Sequence, residues 1–439
     1  MTASIGVANT NEIRSPRTGP LDVSTLLGHG LSFVLGAISF MEFPVVGRLF
    51  ATEVLLVTIL FGLLPFQDVV LRRPATKVFL SLAMVWLLGQ LATDIIRGSD
   101  FTDSAKGSAK VVFTVINLLG LYFLLDRHAV RFTLYLSGLS VGQLVGFFVK
   151  PNAGTDLDPW KWGLGWPATF AAIAIAHFAY QRGRHILSTL VLGLIASVHL
   201  YMGFRALALV CFVTGCLVLY CSYGRSKTGQ RAGHPFRVLF LLALAGLGFA
   251  QLYEYLASSG ALGVSALAKY EDQSAGEYGV LLGGRSETFA SLQAIEDSPL
   301  IGHGTGAKDE KYADLLFASQ YEHGYRNIRP QEDDSIPSHS HLLGAWVEAG
   351  VLGVPFWAWS LVLIFRCLMS AIASPQPQFV LVVFSCTLLL WTIAFSPYTT
   401  EMRFIETFFL LVVMTYMDTE ARVKTASPHS PRSGALGIA

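Results

Sequence analysis

The chain has 439 residues, of which 53% are hydrophobic and 14% are charged, and its mean hydropathy is +0.52. Because an average soluble domain is about 25% charged, this composition excludes an ordinary soluble domain and indicates a polytopic membrane protein. The formal net charge is only +1, so the chain has no bulk positive field that would recruit nucleic acid.

The apolar segments predict an all-α polytopic membrane protein with twelve transmembrane helices. A transmembrane helix needs about 17 to 25 mostly apolar residues, and twelve stretches approach or reach that length. The predicted spans are 22–41, 45–66, 78–96, 111–126, 132–149, 163–180, 186–203, 206–223, 237–257, 342–366, 377–396 and 403–418. The five cysteines all lie in apolar runs and none is in a C-x-x-C pair, which argues against a disulfide framework or a zinc site.

The orientation follows from the basic residues in the short connections. With the N-terminus in the cytoplasm, the inner connections contain most of the Lys and Arg residues, such as Arg72, Arg73, Arg182 and Arg184. Because cytoplasmic loops are enriched in Lys and Arg, we predict that both termini are cytoplasmic.

One polar connection is much longer than the others and divides the chain. We predict nine transmembrane helices in residues 1–257, an outer loop domain in 258–341, three more transmembrane helices in 342–418 and a disordered cytoplasmic tail in 419–439. Apolar periodicity predicts two helices inside the loop domain, over 285–297 and 308–322. The Ser, Pro, Gly and Arg content of the last segment is typical of disorder.

His339 and His341 lie where the long loop enters the tenth predicted span, and Glu348 follows within that span. An ionisable side chain at the water–lipid boundary is partly desolvated and can still reach a polar substrate. The residues alone leave three roles open for His339: a general base, a structural histidine or, together with His341, a metal ligand. Glu348 either orients a histidine or pairs with a buried arginine.

Two arginines on the predicted outer face are candidate anion ligands. Arg205 lies in a very short turn between two spans, where the alternative is a side chain that snorkels to lipid headgroups. Arg285 opens the first loop helix, where it either pairs with Glu287 or grips an anion together with the free N–H groups of the helix N-terminus. The sequence Asp156-Leu157-Asp158 spells the D-x-D of metal-dependent glycosyltransferases, a three-letter pattern that recurs by chance.

Three sequence blocks, described here from the C-terminal block to the N-terminal one, together resemble motifs of the O-antigen ligase and polymerase superfamily. The run His339-Ser340-x-x-Leu343 with Glu348-x-Gly350 and Gly353 is similar to its His-(Asn/Ser)-x-x-Leu and Glu-x-Gly-x-x-Gly signature. A second block is formed by Gly284-Arg285 and Ser298-Pro299-Leu300-Ile301-Gly302-His303-Gly304-Thr305-Gly306. The third is Arg205-Ala206, in which Phe204 and Ala206 replace the usual serine and glycine.

This resemblance implies a membrane glycosyltransferase of the C type in the bacterial inner membrane. Such an enzyme moves a glycan from undecaprenyl diphosphate to an acceptor at the periplasmic face, and for a ligase the acceptor is a sugar hydroxyl of lipid A-core. It implies His339 as the catalytic base, Arg205 and Arg285 as ligands of the diphosphate, and no metal or cofactor. Wall or supporting residues of the substrate cavity are expected to be His303, Tyr321, Tyr325, His341 and Glu348.

Other functions remain as alternatives. A polymerase and a protein O-oligosaccharyltransferase of the same superfamily share its motifs, and sequence separates them poorly from a ligase. A transporter of lipid-linked glycans belongs to a different class. It predicts broken helices and midplane charges in matching halves, whereas the polar residues here gather at one membrane face.

Overall fold

A computed structural model describes residues 23–45, 47–63, 68–126, 128–151, 153–223, 235–274, 287–322 and 334–426. Within these ranges six helical segments are long and apolar enough to cross a membrane: Val23–Phe40, Pro74–Arg97, Phe101–Leu125, Ala129–Val149, Arg205–Tyr223 and His341–Ala373. Three shorter apolar helices accompany them, Ala51–Gly62, His185–Tyr201 and Phe379–Phe395. The chain is therefore a helical, multi-pass membrane protein.

The described residues up to Val149 form six helices and one small hairpin. In order these are α1 (Val23–Ala37), a 3₁₀ turn (Ile38–Phe40), β1 (Glu42–Val45), β2 (Gly47–Phe50), α2 (Ala51–Leu63), α3 (Asp68–Leu71), α4 (Pro74–Arg97), α5 (Phe101–Leu125) and α6 (Ala129–Val149). α1 packs tightly against α6 because glycines let the two backbones approach. A Cβ on Gly138 would lie 2.1 Å from the Phe33 carbonyl oxygen, the close helix approach that small residues permit.

The middle of the chain continues with α7 (Ala153–Leu157), a π-helical turn (Trp160–Leu164), α8 (Gly165–Gln181), α9 (His185–Tyr201), α10 (Arg205–Tyr223), α11 (Pro235–Ser258) and α12 (Val264–Ser274). The loop helices are α13 (Glu287–Asp297) and α14 (Glu310–Glu322). The last elements are α15 (His341–Ala349), a 3₁₀ turn (Gly350–Gly353), α16 (Val354–Ala373), α17 (Phe379–Phe395) and α18 (Thr400–Ala426). α17 is apolar on all sides and buried along most of its length, as expected for a helix at the centre of a bundle.

Three predicted boundaries are wrong. The second predicted span begins at 45, but residues 42–45 and 47–50 form an antiparallel hairpin in which Glu42 pairs with Phe50. α5 begins at Phe101 rather than 111, because the Asp100 side chain caps it by accepting a hydrogen bond from the Thr102 amide at 2.8 Å. α18 continues to Ala426, past the predicted start of the tail at 419.

The two predicted loop helices are present as α13 and α14, and the segment between them returns to the membrane helices. The His303 amide donates to the Val347 carbonyl at 2.7 Å, and the Gly304 amide donates to the Glu348 carbonyl at 3.2 Å. Gly302 and Gly350 have φ values of +82° and +60°, and a Cβ on either would lie within 2.5 Å of opposing backbone. These glycines therefore hold the loop domain against the end of α15.

Candidate functional site

His339 lies in the extended segment that leads into α15. The next residue, Ser340, caps that helix: its hydroxyl accepts from the Leu343 amide at 3.2 Å and donates to the Ile393 carbonyl at 2.8 Å. The His339 side chain is 40% exposed, and its Nδ1 lies 3.6 Å from Oε1 of Glu287, the first residue of α13. The membrane helices and the loop domain thus position the histidine together.

Two cavities meet at His339. A large cavity of about 1440 Å³ is lined by the hairpin, the π-helical turn and residues of α6, α8, α10, α11, α17 and α18. A small cavity of about 480 Å³ is lined by residues of α4, α5, α13, α14 and α15. His339 and Pro397 line both cavities, so His339 lies at the boundary between them.

Arg205 lines the same large cavity as His339. It is the first residue of α10 and follows a turn in which Gly203 has a φ of +79°. A guanidinium nitrogen donates to the Tyr253 hydroxyl at 3.2 Å, and the guanidinium carbon lies 5.1 Å from that ring's centroid. Arg205 and His339, two of the three residues assigned by resemblance, are therefore lining residues of one large cavity.

The large cavity carries a mixed charge in which the acids have basic partners or hydrogen-bond donors. Its basic residues are Arg48, Lys150, Lys161 and Arg205, and its acidic residues are Glu42, Glu254 and Glu401. Glu42 pairs with Lys150 at 2.6 Å and Glu401 pairs with Arg48, whereas Glu254 accepts a hydrogen bond from Tyr270. Arg205 contacts the phenol of Tyr253.

The π-helical turn presents Lys161 and Trp162 to the large cavity. It is anchored from behind by His199, which is completely buried and accepts a hydrogen bond from the Trp160 indole at 3.0 Å. Nε2 of His199 lies 2.7 Å from the Thr169 hydroxyl. Single π-helical turns are frequent at functional sites, and this one places a cation and an exposed indole opposite α10 and α11.

His341 differs from His339 in its surroundings. It is 1% exposed, its Nδ1 donates to the Ser396 carbonyl at 2.6 Å, and its Nε2 lies 2.5 Å from Oε2 of Glu406. Both ring nitrogens are engaged within the protein, so the alternative in which the histidine pair binds a metal is wrong. His341 has a supporting role, since it ties α15 to α18.

Glu348 lines the small cavity, but its partners are not those expected. Its carboxylate contacts the Lys110 ammonium at 3.0 and 3.1 Å and accepts from the Gln90 amide at 3.3 Å. The prediction that it orients a histidine or pairs with an arginine is therefore wrong. Lys110 comes from the part of α5 that was predicted to be an outer connection.

The remaining predicted residues fall into two groups. His303 lines neither cavity: its Nε2 donates to the Ala294 carbonyl at 2.7 Å, which fixes the loop segment to α13. Tyr321 is 74% exposed on α14 and also lines neither cavity. Arg285 and Tyr325 lie outside the described residues, and their roles stay predictions.

Sequence reasoning missed a buried ion pair beside the large cavity. Glu53 and Arg403 are 0% and 3% exposed, and two nitrogens of Arg403 contact the Glu53 carboxylate at 2.5 Å each. The pair joins α2 to α18 and sits behind the hairpin, because Arg403 also donates to the Arg48 carbonyl. The available signal was a carboxylate inside the second predicted span, since an ionisable residue within a span requires a partner.

Comparisons of the chain with protein-family models, with curated proteins and with solved structures found no match.

Proposed function

We propose that the protein is an O-antigen ligase, a membrane glycosyltransferase of the C type with twelve transmembrane helices. It transfers a glycan from undecaprenyl diphosphate to a sugar hydroxyl of lipid A-core, without a metal ion. The observation that supports this function best is the shared cavity of His339 and Arg205. Two motifs far apart in the sequence, one offering a base and one a phosphate ligand, both contribute lining residues to this cavity.

The reaction requires one proton transfer and one displacement. The acceptor hydroxyl oxygen attacks the anomeric carbon, the bond from that carbon to the diphosphate oxygen breaks, and its electron pair leaves with undecaprenyl diphosphate. A histidine cannot ionise the hydroxyl beforehand, but it can take the proton as the glycosidic bond forms, a contribution of about 100- to 10,000-fold. Attack opposite the leaving group inverts the anomeric configuration.

His339 is the base in this scheme, and Glu287 positions it. Because Nδ1 faces the Glu287 carboxylate at 3.6 Å, we assign Nε2 as the nitrogen that takes the hydroxyl proton. A carboxylate in this place also stabilises the imidazolium that forms, as in other histidine–carboxylate pairs. At 3.6 Å this contact is longer than a hydrogen bond, and contacts between catalytic groups often shorten only when the substrate binds.

The arginines neutralise the departing diphosphate. A guanidinium grips phosphate oxygens with two parallel hydrogen bonds and stays protonated at working pH. Arg205 faces the large cavity for this role. Arg285 is the second predicted ligand, and Glu287, two residues further along the chain, contacts His339.

The proposed location is the bacterial inner membrane, with both termini cytoplasmic and the site periplasmic. The two ends of α4 support this sidedness. At one end Arg97 donates to the Gly302 carbonyl of the loop domain at 2.9 Å, and at the other Arg73 pairs with Asp126 at 2.5 Å. A helix of 24 residues is about 36 Å long, so these two contacts lie at opposite ends of α4, separated by about the thickness of a membrane.

A reconstituted transfer assay tests the proposal and separates its alternatives. Purified protein in lipid nanodiscs is given undecaprenyl diphosphate-linked glycan together with lipid A-core, a second lipid-linked glycan or a pilin, each with a chelator present. A ligase extends lipid A-core only, a polymerase extends the lipid-linked glycan, and a protein oligosaccharyltransferase modifies the pilin. Translocation of the lipid-linked glycan across liposomes without any transfer would contradict the enzyme and favour the transporter.

A further inference from the structure

The small cavity has a chemistry of its own, distinct from that of the large cavity. We infer that it binds the acceptor saccharide, with Glu348 accepting hydrogen bonds from the saccharide's hydroxyl groups. The inference rests on the proposed glycosyl transfer, because only a two-substrate reaction needs two sites that meet at one base. His339 borders both cavities, so an acceptor in the small cavity and a donor in the large one would meet there.

The charges of the lining residues indicate which substrate each cavity binds. Among the described lining residues, the small cavity has one ammonium group, Lys110, and two carboxylates, Glu287 and Glu348. In the large cavity the basic residues outnumber the acidic ones, four to three. A lipid diphosphate is repelled by a wall in which carboxylates are in excess, whereas an uncharged saccharide is not. The anionic donor therefore belongs in the large cavity and the hydroxyl-bearing acceptor in the small one.

Glu348 is held in a fixed orientation and keeps capacity for further hydrogen bonds. Lys110 and Gln90 make three contacts to its two oxygens, and an ionised carboxylate has about four acceptor positions. The side chains of Lys110 and Glu348 are 18% and 23% exposed. Because the pair is largely shielded from water, a hydroxyl that donates to Glu348 makes a charge-assisted bond of above-average strength.

The rest of the lining suits a sugar ring, which has an apolar face and a polar edge. Phe317 and Tyr398 supply aromatic surface, and Gln320, Ser335 and Ser338 supply polar groups. The volume of about 480 Å³ falls within the range of about 300 to 1000 Å³ that is usual for small-molecule sites.

Kinetics of a Glu348→Gln variant test the acceptor role. The substitution keeps the shape and removes the charge, and we expect the KM for lipid A-core to rise about 10- to 100-fold while the KM for the lipid-linked donor stays unchanged. Glu254→Gln, which removes a carboxylate from the large cavity, is the matched control and should leave the acceptor KM unchanged. An unchanged acceptor KM in Glu348→Gln, or a raised donor KM, would overturn the assignment.

Cysteine protection tests the site without depending on transfer. Cys216 is the one cysteine that is not buried, so the experiment uses a Cys216→Ser background with Ser338→Cys in the small cavity or Gln251→Cys in the large cavity. Lipid-free core oligosaccharide at ten times its Kd should slow maleimide labelling of Ser338→Cys about tenfold and leave Gln251→Cys unaffected. Undecaprenyl diphosphate should show the opposite pattern.

The outcomes distinguish a failure of the proposed acceptor site from a failure of the proposed enzyme activity. Protection of Ser338→Cys by undecaprenyl diphosphate, or no protection of it by the oligosaccharide, would overturn the acceptor site even if transfer is observed. Protection by the oligosaccharide in a protein that transfers no glycan would support the saccharide site and contradict the proposed enzyme.

Discussion

Replacing Glu287 with glutamine should slow glycan transfer by a calculable amount. The carboxylate lies 3.6 Å from Nδ1 of His339. The His339 imidazole becomes positively charged as its Nε2 takes the hydroxyl proton. Two unit charges at this distance interact by about 1 kcal/mol in water and by about 5 kcal/mol at an effective dielectric constant of 20. Since the two side chains are 40% and 23% exposed, we expect about 1 to 3 kcal/mol, which is about a 5- to 150-fold fall in kcat.

The assay is a single-turnover measurement with both substrates saturating, so that any effect of Glu287 on binding in the small cavity is removed. Glu296→Gln is the matched control, because Glu296 lies exposed on the same helix. We expect this control to transfer glycan at the wild-type rate. A Glu287→Gln variant that matches the control would refute the positioning role of Glu287.

Three further predictions concern stability. Arg403→Met removes the ionic partner of a buried carboxylate and should reduce the free energy of unfolding by about 3 to 5 kcal/mol. Arg48→Met breaks a largely exposed pair and should reduce it by less than about 1 kcal/mol. Equal losses of stability in thermal unfolding would contradict this difference. Gly350→Ala should reduce the free energy of unfolding by about 1 to 3 kcal/mol because of its φ of +60°. Gly193→Ala, inside α9 and with nothing near its Cβ position, should cause no loss of stability in the same measurement, because alanine favours a helix more than glycine does. The hydrogen bonds from Lys311 and Tyr312 lower the pKa of Asp297 to about 2, below the unfolded value of about 3.9. The ionised carboxylate therefore stabilises the fold above about pH 4, and this stabilisation is lost as the pH falls through about 2. The stabilities of wild type and Asp297→Asn should converge on acidification, and a difference that stays constant with pH would contradict the prediction.

The helices and the loop helices follow from patterns that are local in sequence. Apolar runs and the period of α13 and α14 are visible in short windows, and helices cover most of each predicted span. The hairpin is not visible in this way, because Glu42–Val45 and Gly47–Phe50 adjoin an apolar run that reads as the start of a span. Its two strands precede α2 and pair with each other, and hydropathy alone cannot show this pairing.

The candidate residues of the site can be named from the sequence, but their partners cannot. His339 and Arg205 are proposed from motifs, whereas the contacts Lys110–Glu348 and His341–Glu406 join residues distant in the chain. Each pair brings complementary groups together only after the helices pack, so composition and spacing cannot identify it. Polar residues in apolar spans show that partners exist, but the fold is needed to name them.

The most direct test of His339 as the base is glycan transfer by a His339→Ala variant reconstituted in nanodiscs with undecaprenyl diphosphate-linked glycan and lipid A-core. We expect that the variant unfolds at the wild-type temperature, that transfer falls by about 100- to 10,000-fold and that the wild-type product has the inverted anomeric configuration. A folded His339→Ala variant that transfers glycan at the wild-type rate would contradict this role of His339.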